Sequence, residues 1–191
     1  QGHQFAQTLS NQDADELTHL VETNKKNFKG NELKGKTIGI IGLGAIGSLL
    51  AQSVVSMDMK VIGYDPNISI DAAWQLPKEV VKADNLKDLL SNSDYISIHV
   101  PLVEETKNLI SNDVIKFIKP GAKLINLSRG SIVNNKDVLN ALENKKISTF
   151  VTDFPSPEMV KRSIKFSDVI LLPHLGASTK EAEINCAVMA A

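Results

Sequence analysis

The sequence predicts an α/β fold in which a doubly wound parallel sheet is flanked by helices, and three observations support this class. Short runs rich in β-branched residues alternate with helical runs from about residue 36 onward. A glycine-rich segment lies directly between the first strand run and the first helix run. The composition, with 42% hydrophobic and 23% charged residues among 191, is typical of a globular domain of ordinary size.

The predicted elements follow in order along the chain. Runs with β-type composition predict strands at Thr37–Ile41, Lys60–Tyr64, 95–100, 123–127, 148–152 and 169–172, with a weaker one near Val80. Apolar residues at helical spacing predict helices at 45–57, 86–91, 113–118, 136–143 and 179–189. Residues 1–30 are polar, and a helical set there (Leu17, Leu20, Val21) needs a partner surface outside itself.

The sharpest local signal is the sequence Gly-Leu-Gly-Ala-Ile-Gly at residues 42–47, which ends the first strand and opens the first helix. Gly42 can make the tight turn, Gly44 lets a pyrophosphate approach the backbone, and Gly47 lets the helix pack on the strand. The helix N-terminus then stabilises the anion. This pattern predicts a Rossmann-type dinucleotide site; the alternative is a tight strand-to-helix turn without a ligand.

Asp65, at the end of the second strand, indicates which dinucleotide is bound. A carboxylate at this position accepts hydrogen bonds from the adenosine ribose and repels a 2′-phosphate. The next residues, Pro66, Asn67 and Ile68, supply no Arg for such a phosphate. The sequence therefore favours NAD over NADP.

Two further polar residues follow predicted strands at the sheet edge where parallel sheets bind ligands. Arg129 can hold a carboxylate with two parallel hydrogen bonds, unless it is simply a surface residue. His174 can give or take a proton near neutral pH, unless it is a structural cap. We interpret the other histidines, including His99, as surface or packing residues.

Charge and composition exclude several kinds of partner. The chain has 21 Lys and Arg against 22 Asp and Glu, so it lacks the basic field that holds a nucleic acid. No apolar run approaches the roughly 18 residues of a membrane span. The single cysteine, Cys186, has no second cysteine nearby, and we expect no metal site and a cytoplasmic location. Because the chain starts at Gln1 and stops within a helical run, we expect a fragment.

Four motifs follow one another within about residues 28–190. They are Leu-Lys-Gly-Lys-Thr-Ile-Gly at 33–39, the segment at 93–102, Asn-Leu-Ser-Arg-Gly at 126–130 and Pro-His-Leu-Gly-Ala-Ser-Thr at 173–179. In this order they resemble the D-isomer-specific 2-hydroxyacid dehydrogenase family, and especially its members that act on D-3-phosphoglycerate in serine biosynthesis. The resemblance implies hydride transfer between NAD and a 2-hydroxy acid. It also implies a homodimer and a separate substrate domain, which is absent here, so residues 1–30 would be a connecting helical region and 31–191 the dinucleotide-binding domain.

The resemblance also implies roles for individual residues. Arg129 would hold the substrate carboxylate, and His174 would exchange the hydroxyl proton. The implied cofactor contacts, beside Gly42, Gly44, Gly47 and Asp65, are Ala45, Ile46, Val100, Thr106, Leu127, Ser128, Arg129, Asp153, His174, Gly176 and Ala177.

One segment departs from the family pattern, in which Asp-Val-Phe is followed by a Glu that hydrogen-bonds the catalytic His. This chain reads Thr-Asp-Phe-Pro-Ser-Pro-Glu at residues 152–158. When Phe154 is aligned, Asp153 and Glu158 are each displaced by one residue. We expect Asp153 to keep the role on the cofactor side and Glu158 to reach His174 as the third catalytic residue.

Two other functions remain open at this point. A nucleotide-sensing binding module, like the transcriptional corepressors with this fold, would retain the same motifs. A relative acting on glyoxylate or formate would differ mainly in the missing substrate domain. Residues 175–179, which resemble the phosphoglycerate-acting members, favour the enzyme.

Overall fold

The computed structural model describes residues 2–11, 13–176 and 178–190, and the chain forms two compact units, Gln1–Leu33 and Lys34–Ala191. The first unit consists of helix α1 (Gly2–Thr8), helix α2 (Ala14–Asn24) and a 3₁₀ turn at Lys25–Phe28. Helix α2 begins after Asp13 because the Asp13 carboxylate accepts the backbone N–H groups of the first turn. Helix α1 was not predicted from the sequence.

The second unit is built on one sheet, and the described residues contribute seven strands to it, all parallel. They are β1 (Thr37–Ile41), β2 (Lys60–Tyr64), β3 (Val80–Lys82), β4 (Tyr95–Ile98), β5 (Ala122–Asn126), β6 (Ile147–Thr152) and β7 (Val169–Leu171). The strand order is β3-β2-β1-β4-β5-β6-β7. The predicted doubly wound sheet is confirmed, and its winding direction reverses between β1 and β4.

Helices connect these strands. They are α3 (Ala45–Val55), α4 (Ile70–Trp74), α5 (Leu86–Asn92), α6 (Asn112–Ile115), α7 (Asn135–Glu143), α8 (Pro157–Lys165) and, after the last strand, α9 (Lys180–Ala190). Side chains define several of their starts, since Asn85, Asn134 and Ser156 each accept a backbone N–H of the following turn. In the described part of the chain no helix has both the length and the apolar character that crossing a bilayer requires.

Two helices of this unit, α4 and α8, lie where no helix was predicted. The segment before and within α8 contains two prolines and was interpreted as an irregular loop. Pro157, however, occupies the first turn of α8, where a missing N–H is tolerated, and Ser156 caps that turn by accepting the N–H of Met159. Met159 is fully buried and anchors the helix to the core.

The core consists of two clusters of buried apolar side chains. The smaller one joins β1 and β2 to α3, through residues such as Ile38, Ile40, Ala51 and Val54. The larger one covers the rest of the sheet and includes Phe150, the largest of the fully buried side chains. Because side chains alternate across each strand, both faces of the sheet are covered, as parallel sheets require.

Asp94 ties together the amino-terminal ends of the two strands at which the winding reverses. Its carboxylate accepts the N–H of Thr37, at the start of β1, at 2.9 Å and the Lys119 ammonium at 2.7 Å. The hydrogen bond from Lys119 and that from Thr37 hold the pKa of Asp94 below its ordinary value. The ionised carboxylate therefore stabilises the fold.

We expect Asp94→Ala to lower the free energy of unfolding at pH 7 by about 1–3 kcal/mol, as for a hydrogen-bonded charged group. The pKa of Asp94 is lower in the folded state than in the unfolded state. Its contribution to the free energy of unfolding is therefore fully present above the unfolded carboxyl pKa of about 3.9, and it is lost as the pH falls through the folded-state pKa. Urea unfolding as a function of pH measures this. The exposed Asp84→Ala is the control, and equal destabilisation by both substitutions at pH 7 would contradict the assignment.

Candidate functional site

A cleft of about 750 Å³ opens at the carboxyl ends of β1 and β4, where the winding direction of the sheet reverses. This volume lies in the range of small-molecule sites, and this edge is where open parallel sheets bind ligands. The cleft is lined by Ile41, Gly42, Gly44, Tyr64, Asp65, Pro66, Asn67, His99, Val100, Pro101, Val103, Glu105, Thr106 and Leu109.

The glycine turn forms one wall of this cleft, and two of its glycines are sterically required. Gly42 has φ +92°, and a Cβ there would lie 2.7 Å from the carbonyl oxygen of His99. A Cβ on Gly47 would lie 2.0 Å from the carbonyl oxygen of Gly42, so only glycine lets α3 approach the turn so closely. Gly44, by contrast, faces open space. The tight turn predicted at Gly42 and the close packing predicted at Gly47 agree with this geometry.

Helix α3 begins directly after Gly44, and its first turn is open toward solvent. Gly44, Ala45 and Ile46 are all exposed, and the cap position makes no side-chain hydrogen bond. The first turn contains no acidic residue. Its free N–H groups and the helix dipole can therefore stabilise an anion beside Gly44.

Asp65 lies on the cleft rim and is fixed there by two backbone groups. One carboxylate oxygen accepts the N–H of Leu43 at 2.9 Å, and the other accepts the N–H of Asn67 at 3.0 Å. The first bond joins the end of β2 to the glycine turn that follows β1. The carboxylate keeps lone pairs for a ligand, so Asp65 is both part of the wall and a candidate ligand contact.

The opposite wall is held by side-chain hydrogen bonds to backbone carbonyls. The Thr106 hydroxyl donates to the carbonyl of Pro101 at 2.6 Å, and the Ser128 hydroxyl donates to that of Val100 at 2.6 Å. Thr106 and Val100 line the cleft, and Ser128 links the loop after β5 to it. The structure thus brings these three predicted residues together.

His99, which was expected to be a surface or packing residue, also lines the cleft. Its Nε2 lies 2.8 Å from the hydroxyl of Ser97, and burial lowers the pKa of its imidazole. Its position at the end of the strand beside β1 was the signal that could have identified it. Because ligands bind outside the carboxyl ends of the strands in such sheets, His99 is a candidate ligand contact.

Arg129 lies in a loop after β5 that Asn126 shapes. The amide of Asn126, which is buried, donates to the carbonyl of Arg129 at 3.0 Å and accepts the N–H of Ser128 at 3.2 Å. The Arg129 side chain is exposed and donates one bond to the carbonyl of Ser128, while Leu127 is 45% exposed. The guanidinium keeps further donors for an anionic group.

Phe154 lies between the Arg129 loop and His174. The Phe154 ring centroid is 4.9 Å from that of His174. A Cβ added to Gly130 would lie 3.1 Å from the Cβ of Phe154. Glycine at position 130 therefore lets the Phe154 side chain pack against the loop that contains Arg129. Arg129 and His174 follow the carboxyl ends of β5 and β7, so both lie at the same edge of the sheet.

The carboxylate that contacts His174 is Asp153, not Glu158. Asp153 Oδ2 lies 3.0 Å from Nδ1 of His174, and the Asp153 side chain is 9% exposed. Glu158 lies exposed in the first turn of α8, where it accepts the Ser156 hydroxyl at 3.0 Å. The expected Glu158–His174 contact is therefore wrong for this structure, because capping interactions of α8 hold Glu158. Its pKa is lowered, chiefly by a backbone N–H and then by Ser156.

The remaining predictions concern single positions and metals. Gly176 is exposed after the His174 turn, whereas Ala177 lies outside the described residues. Within the described ranges, no group of three or more His, Cys, Asp or Glu is arranged to hold a metal ion. Asp153 Oδ1 is buried, and no hydrogen-bond donor of the described residues reaches it.

The chain is similar to known proteins over most of its length. A family model described as "D-isomer specific 2-hydroxyacid dehydrogenase, NAD binding domain" matches residues 3–176. The D-3-phosphoglycerate dehydrogenase of Synechocystis sp. is 40% identical over 178 residues, which are 92% of this chain and 32% of that protein. The D-3-phosphoglycerate dehydrogenase of Bacillus subtilis is 38% identical over 168 residues, 87% of this chain and 31% of that protein.

The similarity extends to solved structures. The NAD-complexed form of a D-isomer specific 2-hydroxyacid dehydrogenase from Lactobacillus delbrueckii ssp. bulgaricus matches with a TM-score of 0.76 and 28% identity. The match covers 86% of this chain and 53% of that one. The chain spans about a third of the length of the curated relatives that it matches.

The glycine turn yields a paired prediction. We expect Gly47→Ala to destabilise the fold by about 1–3 kcal/mol, because its methyl group would overlap a backbone carbonyl. Gly44→Ala should unfold nearly like the parent but bind NAD more weakly, because its methyl group would occupy the open space beside α3. Thermal unfolding and fluorescence titration with NADH measure the two effects. Unchanged NADH affinity in folded Gly44→Ala would contradict the position of the ligand.

Proposed function

Because the chain belongs to the D-isomer specific 2-hydroxyacid dehydrogenase family through its NAD-binding domain, we propose that it serves an enzyme that moves a hydride between NAD and a D-2-hydroxy acid. The observation that carries this proposal is that Arg129 and His174, which follow β5 and β7, lie at the same edge of the sheet as the cleft. Arg129 can bind an anionic group and His174 can exchange a proton. A nucleotide-sensing domain would retain the same motifs, so turnover is the property that separates the two functions.

The residues present fit NAD. The open space before Gly44 and the free N–H groups of α3 at Ala45 and Ile46 suit its pyrophosphate. Asp65 suits the adenosine ribose, and its charge disfavours a 2′-phosphate. The buried Oδ1 of Asp153, which no donor among the described residues reaches, suits an amide donor, such as the carboxamide of the nicotinamide. The other contacts that we assign to the cofactor are Val100, Thr106, Leu127, Ser128, Gly176 and Ala177.

NAD, when bound, supplies the hydride acceptor or donor, and the chain supplies orientation and proton transfer. Arg129 holds the substrate carboxylate through its planar guanidinium, which can donate two parallel hydrogen bonds. His174 takes the hydroxyl proton when the substrate is oxidised and returns it in the reverse direction. Phe154 limits the movement of the His174 ring through their contact.

The side chains of Arg129 and His174 are largely exposed. Further protein must therefore cover the reacting carbon of the substrate and exclude water from it. The His174 side chain is 60% exposed, and Arg129 is exposed as well. We assign residues 1–30 to a connecting region, 31–191 to the dinucleotide-binding domain, and the cover to a substrate domain outside this chain. The greater length of the relatives supports this assignment.

The finer properties of the whole protein are part of the same proposal. D-3-phosphoglycerate is the substrate that we propose, within serine biosynthesis, because the 35–40% identical relatives are D-3-phosphoglycerate dehydrogenases. We also propose a cytoplasmic homodimer that binds neither nucleic acid nor membranes. The exposed apolar side chains Ile184 and Val188 of α9 are available to such an association.

A two-part experiment tests this function. We expect the 191-residue chain to bind NAD in calorimetry but to show no turnover, because the substrate cover lies elsewhere. The full-length protein should reduce NAD with D-3-phosphoglycerate at a higher kcat/KM than with D-lactate or glycolate. NAD binding without turnover of any 2-hydroxy acid by the full-length protein would favour the nucleotide-sensing module. A preference for glycolate would instead favour the glyoxylate-acting relative.

Asp65 allows a prediction about cofactor choice. Asp65→Ser should raise the NADP/NAD affinity ratio by about tenfold or more, about 1.4 kcal/mol, because the charge that repels a 2′-phosphate is removed. Asp65→Asn is the matched control, since it removes the same charge but keeps an oxygen that can accept the N–H of Leu43. Calorimetry with both cofactors measures the ratio. A ratio that neither substitution changes would mean that Asp65 does not face the ribose.

A further inference from the structure

We propose that Asp153 is the positioning residue of His174 in this chain and that the same carboxylate couples cofactor binding to the orientation of the imidazole. The inference rests on the proposed function, but it concerns a contact that exists without cofactor or substrate. It replaces the expected Glu158 by a residue five positions earlier in the chain. In this arrangement one carboxylate serves both His174 and the cofactor.

The local fold brings Asp153 and His174 together. Strand β6 ends at Thr152, whose hydroxyl accepts the N–H of Phe154 at 3.1 Å and turns the chain. The carbonyl of Thr152 accepts the N–H of Leu172 at 3.0 Å, so the end of β7 is in register with the end of β6. Asp153 and His174 follow these two positions. Their contact therefore depends on the pairing of two strands rather than on a free loop.

The contact determines which nitrogen of His174 is available. A carboxylate can only accept a hydrogen bond, so the Nδ1 that lies 3.0 Å from Asp153 must carry a proton. Nε2 is then the nitrogen that exchanges a proton with the substrate. Ring contact with Phe154 restrains the same imidazole from its face. Two independent neighbours thus fix the ring orientation and the tautomer.

Burial explains why a second partner of Asp153 is needed. The Asp153 side chain is 9% exposed, and its Oδ1 has no donor among the described residues. A buried acceptor without a partner is costly, so a ligand that donates to it gains affinity. The amide of the proposed cofactor can supply this donor. Oδ1 and Oδ2 belong to one carboxylate, so a bond to one oxygen orients the other toward His174.

Glu158 lacks these properties. It lies in the first turn of α8, exposed, and its carboxylate is engaged by Ser156 and by a backbone N–H. A negative charge in the first turn of a helix is favourable, so Glu158 has a sufficient structural role in α8. Its removal should therefore affect α8 rather than His174.

Nuclear magnetic resonance of the 191-residue chain without cofactor tests the contact directly. Long-range proton–nitrogen spectra of ¹⁵N-labelled histidine report the tautomer of each ring, and His174→Gln identifies the signals of His174. We expect His174 to carry its proton on Nδ1 in the parent chain. In Asp153→Ala the Nδ1-protonated tautomer of His174 should become the minor form. In Glu158→Ala the fraction of this tautomer should be unchanged. A parent His174 protonated mainly on Nε2 overturns the proposal even if a variant fails to fold.

A second arm tests the coupling to the cofactor. Addition of NAD should shift the ring signals of His174 in the parent chain and in Glu158→Ala. In Asp153→Ala the shift should be lost, while the signals of residues near Gly44 still respond to NAD. An equal His174 shift in Asp153→Ala overturns the coupling.

Kinetics of the full-length enzyme separate this inference from the proposed function. Asp153→Ala should lower kcat by about a hundredfold and change the shape of the pH–rate profile, as expected for impaired acid–base catalysis. Glu158→Ala should lower kcat far less, and a larger loss with Glu158→Ala than with Asp153→Ala overturns the inference. If His174 carries its proton on Nδ1 but the parent enzyme shows no turnover, the proposed function alone is refuted. Turnover with His174 in the other tautomer would refute this inference alone.

Discussion

The close approach of helix α3 to the end of strand β1 is the constraint on which the rest of the site depends. The two backbones meet between Gly42 and Gly47 with no room for a methyl group. Because they meet there, the N-terminus of α3 stands directly at the edge of the sheet. The following strand, β2, returns beside β1 and brings Asp65 to 2.9 Å from the backbone of Leu43. This steric contact thus places the N-terminus of α3 and Asp65 beside each other at the edge of the cleft.

The site combines fixed loops with exposed reactive side chains. Thr106, Asn126 and Ser128 each hold a loop by hydrogen bonds to its backbone. The bond from Ser128 joins the loop after β5 to Val100 in the wall of the cleft. Arg129 and His174, by contrast, lie on the surface of the described chain. The walls of the cleft are thus held in place, whereas Arg129 and His174 remain accessible to solvent.

The strands could be predicted because their signal is local. Thr37–Ile41 and Lys60–Tyr64 have the predicted bounds, since each is a β-branched run that ends at a turn residue. Helix α8 was missed because prolines were interpreted as loop markers. The Ser-Pro-Glu start at Ser156 is itself typical of a helix N-terminus, so the sequence contained the signal.

The site was predictable where a residue type and a strand end coincide, as at the glycine turn and Asp65. The partner of His174 was not, because it depends on which way a side chain points after an irregular turn. That direction is determined by the hydroxyl of Thr152 and by the register of β7, neither of which is visible in spacing along the chain. The position of His99 in the cleft was not predicted either, although this residue lies near the end of a predicted strand.

The hydrogen bond between Asp65 and Leu43 has an evolutionary consequence. A lineage that acquired a preference for a phosphorylated adenosine ribose would have to remove the negative charge at this position. A replacement without an acceptor atom would also remove an anchor of the glycine turn. Asparagine removes the charge and keeps an oxygen that can accept the N–H of Leu43, so a path through asparagine preserves this anchor. The identity of the first substitution therefore decides whether the turn is disturbed when the cofactor preference changes.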